Sequence, residues 1–164
     1  MRSLILFLVC LSSAAAASAD DQGNRFLVVP IDHLLTEEVI RRFFADLLRQ
    51  GGLGYRQTEA AAFLVLEGES SYRCISWPFL GELHRQQFRG SVPDATIAIV
   101  HTHPEASPRP SVADAKTAIT TGVPVFVLTR NNIYVALSDG TIEAVEKNRF
   151  WAPATKPERR CGGR

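Results

Sequence analysis

Two histidines two residues apart, followed after a short loop by a serine and an aspartate three apart, are the clearest chemical signal in this chain. They lie in His101-Thr102-His103-Pro104-Glu105-Ala106-Ser107-Pro108-Arg109-Pro110-Ser111-Val112-Ala113-Asp114. Two imidazoles and one carboxylate are the ligand set of a catalytic zinc, which keeps its fourth position open for water. Zinc lowers the pKa of such a water toward about 7. The group therefore points to hydrolysis near neutral pH.

The chemistry needs elements that bring these side chains together. The run Thr96-Ile97-Ala98-Ile99-Val100 reads as a buried strand leading into the histidines. Residues two apart at a strand end point to one face, so His101 and His103 stand side by side. Ser111, preceded by Pro110, is a good helix N-cap, and Asp114 falls at the third helical position. A helix N-terminus favours negative charge. Asp114 there stays ionised and can act as an anionic metal ligand, with Ser111 facing the same site as a hydrogen-bond donor.

The spacing His-x-His-Pro, six further residues, then Ser-x-x-Asp resembles the JAMM (MPN-type, or JAB-domain) zinc metalloprotease family, in its bacterial secreted or RadC-like members. The resemblance covers Asp32 to about Ala144. It implies a cytidine-deaminase-like core, one zinc per chain, and His101, His103 and Asp114 as its ligands. It also implies that Ser111 stabilises the oxyanion and that an upstream glutamate is the general base. The family places that glutamate near the start of the first long strand, a position that Glu59 fits, although Ala62 stands where a glycine is usual. Glu67 and Glu69 remain competitors, in what reads as a solvated hairpin turn.

The implied reaction is hydrolysis of a peptide or isopeptide bond by a water that the glutamate activates. The alternative is a non-catalytic interaction domain that keeps the fold and a zinc site. A zinc deaminase needs His-x-Glu and Pro-Cys-x-x-Cys, and no Cys-x-x-Cys exists here.

The ends of the chain suggest export. Met1-Arg2-Ser3 is a positive n-region, Leu4 to Leu11 an apolar h-region, and Ala17-Ser18-Ala19 a cleavage signal. The expected layout is a signal peptide over 1–19, a metallohydrolase domain over 20–150, and a disordered basic tail over 151–164. No stable membrane insertion is expected after cleavage. A periplasmic or extracellular location leaves peptidoglycan stem peptides, other peptides or exported proteins as substrates. Cys10 leaves with the signal peptide. Cys74 and Cys161 remain, an even number in an oxidising compartment, with both pairing and separate thiols open to them. Neither has the spacing of a zinc-ligand pair. Loss of Arg2 takes Lys+Arg from 18 to 17, against 17 Asp+Glu. That near-neutral balance has no clustered basic footprint for nucleic acid.

Around the motif, apolar residues at helical spacing predict a helix from Leu34 to Gln50 ended by Gly51-Gly52, with His33 just before it and Thr36-Glu37-Glu38 as a candidate cap for an inner start. Phe26–Pro30 reads as a short edge strand. Strands are expected at Ala60–Leu66, Tyr72–Trp77, Val123–Leu128, Ile133–Leu137 and Thr141–Val145, with a helix over Val112–Thr121 and Gly122 at its C′ position. Phe79–Arg89, which contains His84, is ambiguous. The fold class is α+β, close to α/β: a mixed sheet flanked by helices.

Overall fold

The computed structural model describes residues 30–56, 58–68, 71–78, 80, 88 and 90–152. Helices α1 (Ile31–Thr36) and α2 (Glu38–Gln50) come first, then strands β1 (Ala61–Glu67), β2 (Ser71–Ser76) and β3 (Thr96–Thr102). Helix α3 (Val112–Thr121) and strands β4 (Val125–Leu128), β5 (Ile133–Ala136) and β6 (Ile142–Glu146) follow.

The single helix expected from Leu34 to Gln50 is two. Glu37 between them is extended, with φ −71° and ψ 114°. Thr36 Oγ1 donates to the His33 carbonyl at 2.8 Å, a local bond that competes with helical continuation. The break lets both pieces bury apolar faces, Leu34 and Leu35 from α1 and Ile40, Phe43, Phe44, Leu47 and Leu48 from α2. His33 lies inside α1 and is exposed, 3.6 Å from Glu37.

The strands form one sheet in the order β2-β1-β3-β4-β5-β6. Every neighbouring pair is antiparallel except β3 and β4. Parallel neighbours need a crossover, and α3 supplies it. Side chains alternate across the sheet. Ala62, Leu64, Ala98, Val100, Phe126 and Leu128 face α2, where Phe44 meets Phe126 with ring centroids 5.5 Å apart. Phe63, Ile99, Val125 and Ala136 pack with Ala118 of α3 on the other face. By the same alternation His101 follows Ile99 onto the α3 face.

This is the expected mixed sheet with a helix on each side. One boundary shifts: Trp151, expected to open the tail, is buried, and its Nε1 donates to the Thr129 carbonyl at 2.7 Å. Cys74 is half-buried in β2. The expected signal peptide, the apolar run over 26–29, Glu69, His84, Cys161 and tail residues 153–164 lie outside the described residues.

Candidate metal centre

β3 carries His101 as its penultimate residue and runs out one residue before His103. The two rings meet edge to face, with centroids 4.7 Å apart. The His103 backbone N–H bonds the Leu128 carbonyl at 2.9 Å, which continues the β3–β4 pairing past the strand end. The site therefore sits at the carboxyl end of the parallel strand pair, beside the N-terminus of the crossover helix. That is where open α/β sheets generally place ligands.

α3 begins as its sequence implies. Ser111 is the N-cap and Asp114 the third helical residue, and the two form a capping box. The Asp114 N–H donates to Ser111 Oγ at 3.2 Å. Asp114 Oδ2 accepts from the Ser111 backbone N–H at 2.6 Å and from Ser111 Oγ at 2.7 Å. The box commits the Ser111 hydroxyl proton to Asp114, and it points Oδ1 at the histidines.

Asp114 Oδ1 lies 3.0 Å from His101 Nε2, and Oδ2 lies 3.8 Å from His103 Nε2. The first contact is a close ion pair rather than an aligned hydrogen bond, since His101 Nε2 is buried with no hydrogen-bond partner. Donor atoms on one tetrahedral zinc, each about 2.0–2.1 Å from it, stand about 3.3 Å apart. The observed separations bracket that spacing, and a buried imidazole nitrogen drawn this close to a carboxylate without an aligned hydrogen bond is what a metal between them would satisfy. His103 is braced from behind, its Nδ1 2.9 Å from the Ser107 carbonyl. A backbone carbonyl at Nδ1 fixes the tautomer whose Nε2 lone pair faces the site.

Charge follows from this crowding. Burial by itself would lower the His101 pKa, but the Asp114 and Glu59 carboxylates override it and raise it from 6.5 to about 9. Burial and the neighbouring His101 charge lower that of His103. Asp114 resists burial through His101 and Ser111, which hold its carboxyl well below the usual carboxylate range.

Glu59 joins from a third element. Ala61 pairs with His101 in the β1–β3 register, so Glu59, two residues earlier, comes level with the histidine pair. Its Oε2 lies 3.8 Å from His101 Nδ1, the nitrogen opposite the one facing Asp114. Glu59, His101 and His103 form a group that can hold a metal ion, with one donor atom from each lying within 4.8 Å of the others. Glu67 ends β1 at the far side and pairs with Arg73 on the surface. A cavity of about 430 Å³ opens over the cluster. Glu59, His101, His103, Asp114, Ser111 and Trp77 are among its lining residues.

Two supports were not singled out from sequence. Glu105 Oε1 accepts from the side-chain amides of Asn131 and Asn132 at 3.2 and 3.3 Å, and its N–H donates to the Gly54 carbonyl at 3.0 Å. The first two bonds tie the loop after His103 to the β4–β5 turn, and the third ties it to the turn after α2. Trp77 walls the cavity and packs against Phe63, with ring centroids 5.1 Å apart and planes tilted by 48°. Glu105 lies inside the motif and was open to notice, but its partners are brought near only by the fold.

Comparison with known families gives a match over most of the chain. The family described as prokaryotic homologs of the JAB domain fits residues 37–151, a span that includes α2, α3, the whole sheet and every side chain of the cluster. No curated protein matches the chain.

Proposed function

The chain belongs to the family of prokaryotic homologs of the JAB domain, and from that premise we propose that it is an exported zinc-dependent hydrolase of peptide or isopeptide bonds. One observation carries the proposal. Side chains from three separate elements converge on one cavity, with His101 Nε2 3.0 Å from Asp114 and Nδ1 3.8 Å from Glu59. A fold that needed only a stable core would not gather two imidazoles and two carboxylates there, because buried ionisable groups are costly unless they are paired or coordinate a metal.

His101, His103 and Asp114 would hold the zinc. When bound, zinc supplies an acidified water near neutral pH and polarises a carbonyl. Glu59, at the cavity wall, accepts the proton from the attacking water and passes it to the leaving amine. Ser111 turns its hydroxyl from Asp114 to the substrate oxygen that gains negative charge. The products are a carboxylate and an amine.

The positive n-region, apolar h-region and Ala-x-Ala site at residues 1–19 support export to the periplasm or exterior. Peptidoglycan stem peptides and exported proteins are the substrates available there. The test is to incubate zinc-loaded protein with peptidoglycan fragments and with unstructured polypeptide, and to read new termini by mass spectrometry. Cleavage that disappears with a chelator and in Glu59→Gln is expected. Cleavage indifferent to both would contradict the proposal.

A further inference from the structure

Thr102 separates the two histidines in sequence and lies on the opposite face of β3, away from the cavity. It is 1% exposed. Its Oγ1 accepts from the Ala60 backbone N–H at 3.0 Å, and its own N–H donates to the Ala60 carbonyl at 2.9 Å. Both backbone groups of Ala60 are thus held by one residue. Ala60 precedes the first residue of β1 and directly follows Glu59.

That location gives the contact its meaning. Glu59 lies outside the β1–β3 ladder, whose register begins at the Ala61–His101 pair. Glu59 lies between an isolated β-bridge at Thr58 and that first ladder pair, and the Ala60–Thr102 contact ties the peptide on its C-terminal side to β3. The Thr102 hydroxyl extends the pairing by one side-chain bond and clamps the peptide that aims Glu59. The hydroxyl is itself fixed. A Cβ on Gly51, the C-cap of α2, would fall 2.2 Å from Thr102 Oγ1. Helix and threonine therefore meet too closely for any side chain at position 51.

We propose that Thr102 is a positioning residue for Glu59: its hydroxyl holds the Ala60 peptide so that the Glu59 carboxylate faces the cavity beside His101. The proposal rests on Glu59 as the proton acceptor. It separates the three positions of the His101-Thr102-His103 run into two ligands and one brace acting through the neighbouring strand.

The test uses Thr102→Val, which keeps shape and removes the acceptor, and Thr102→Ser, which restores it. Thr102→Ala, which removes the hydroxyl without adding bulk against Gly51, substitutes should Thr102→Val not fold. The first readout is amide hydrogen exchange at residues 59–61 in the metal-free protein. Exchange should rise roughly tenfold in Thr102→Val and stay near wild type in Thr102→Ser, the scale of one lost hydrogen bond. The second is the visible spectrum of the cobalt(II)-loaded protein across pH. Thr102→Val should bind cobalt one to one and reproduce the spectral change of Glu59→Gln, while Thr102→Ser should match wild type.

Unchanged exchange in Thr102→Val would overturn the proposal. So would a Thr102→Val spectrum identical to wild type where that of Glu59→Gln differs. Loss of cobalt from Thr102→Val would also overturn it, by showing that Thr102 shapes the ligands instead. Should wild type bind no cobalt, the zinc reading falls, and the exchange result alone then decides whether Thr102 holds the Glu59–Ala60 segment.

Discussion

His101 Nε2 and Asp114 Oδ1 approach to 3.0 Å across the gap between β3 and the first turn of α3, and the buried nitrogen still lacks a hydrogen-bond partner. Strand and helix are joined by the loop that carries His103 and Glu105. The pair thus closes a ring of chain around the cavity, and the behaviour of the site follows from how that ring is charged.

Metal uptake should depend steeply on pH. His101 holds its proton up to about pH 9 in the metal-free protein, and a metal must displace that proton. Apparent zinc affinity should therefore rise about tenfold per pH unit from 6 toward 9. Competition titration with a chromophoric chelator at several pH values reads this directly. A flat profile would show that His101 is neutral without metal.

The same residue shapes the stability of the metal-free protein. Its folded-state pKa stands above the ordinary 6.5. Its contribution is therefore complete below pH 6.5 and is lost as pH rises through about 9. Asp114, held low, contributes with opposite sign, and its share is lost as pH falls below the usual carboxylate range. Melting temperature in the presence of chelator should drop between pH 7 and 9 in wild type. The drop should be smaller in His101→Asn.

Glu59→Gln should keep the fold and one zinc per chain while lowering turnover by about 10²–10⁴-fold, the usual worth of a positioned general base. Its carboxylate also stands beside His101 Nδ1, where an orienting partner typically contributes 10–100-fold in metal affinity. Measuring zinc Kd and turnover on the same variant separates the roles. Turnover lost at unchanged Kd marks the base, and a parallel loss marks the orienter.

Much of this site was legible because its parts are local. The His-x-His pair needs only strand alternation, and the Ser-x-x-Asp pair only helix capping; both are properties of a few consecutive residues. The place of Glu59 was not local. Glu59 and Glu67 have the same parity on β1, so alternation puts both on the α3 face. Only the long-range register of Ala61 on His101 sends one to the histidine pair and the other to Arg73. The break at Glu37 was marked only by the inner capping signal Thr36-Glu37-Glu38, because apolar spacing runs straight through it with no proline or glycine to mark the stop. Thr102 gave no sign, because its partners Ala60 and Gly51 are distant in sequence.

Asn132→Ala should loosen the metal loop. Asn132 donates to Glu105 and to Thr129, and its Oδ1 accepts from the Asn148 N–H at 3.1 Å. It is buried, so its loss leaves partners unsatisfied at a cost of about 1–3 kcal/mol. Urea denaturation should show that loss, and zinc affinity should fall several-fold as His103 loses its support. Full zinc affinity in a clearly destabilised variant would show that the loop is held by other contacts.

Metal content of the purified protein, by elemental analysis beside Glu59→Gln and His103→Ala, tests the central claim most directly. About one zinc per chain in wild type and Glu59→Gln, with none retained in His103→Ala, is the expected result. No zinc in wild type after reconstitution, or one-to-one zinc retained in His103→Ala, would contradict the assignment of this site.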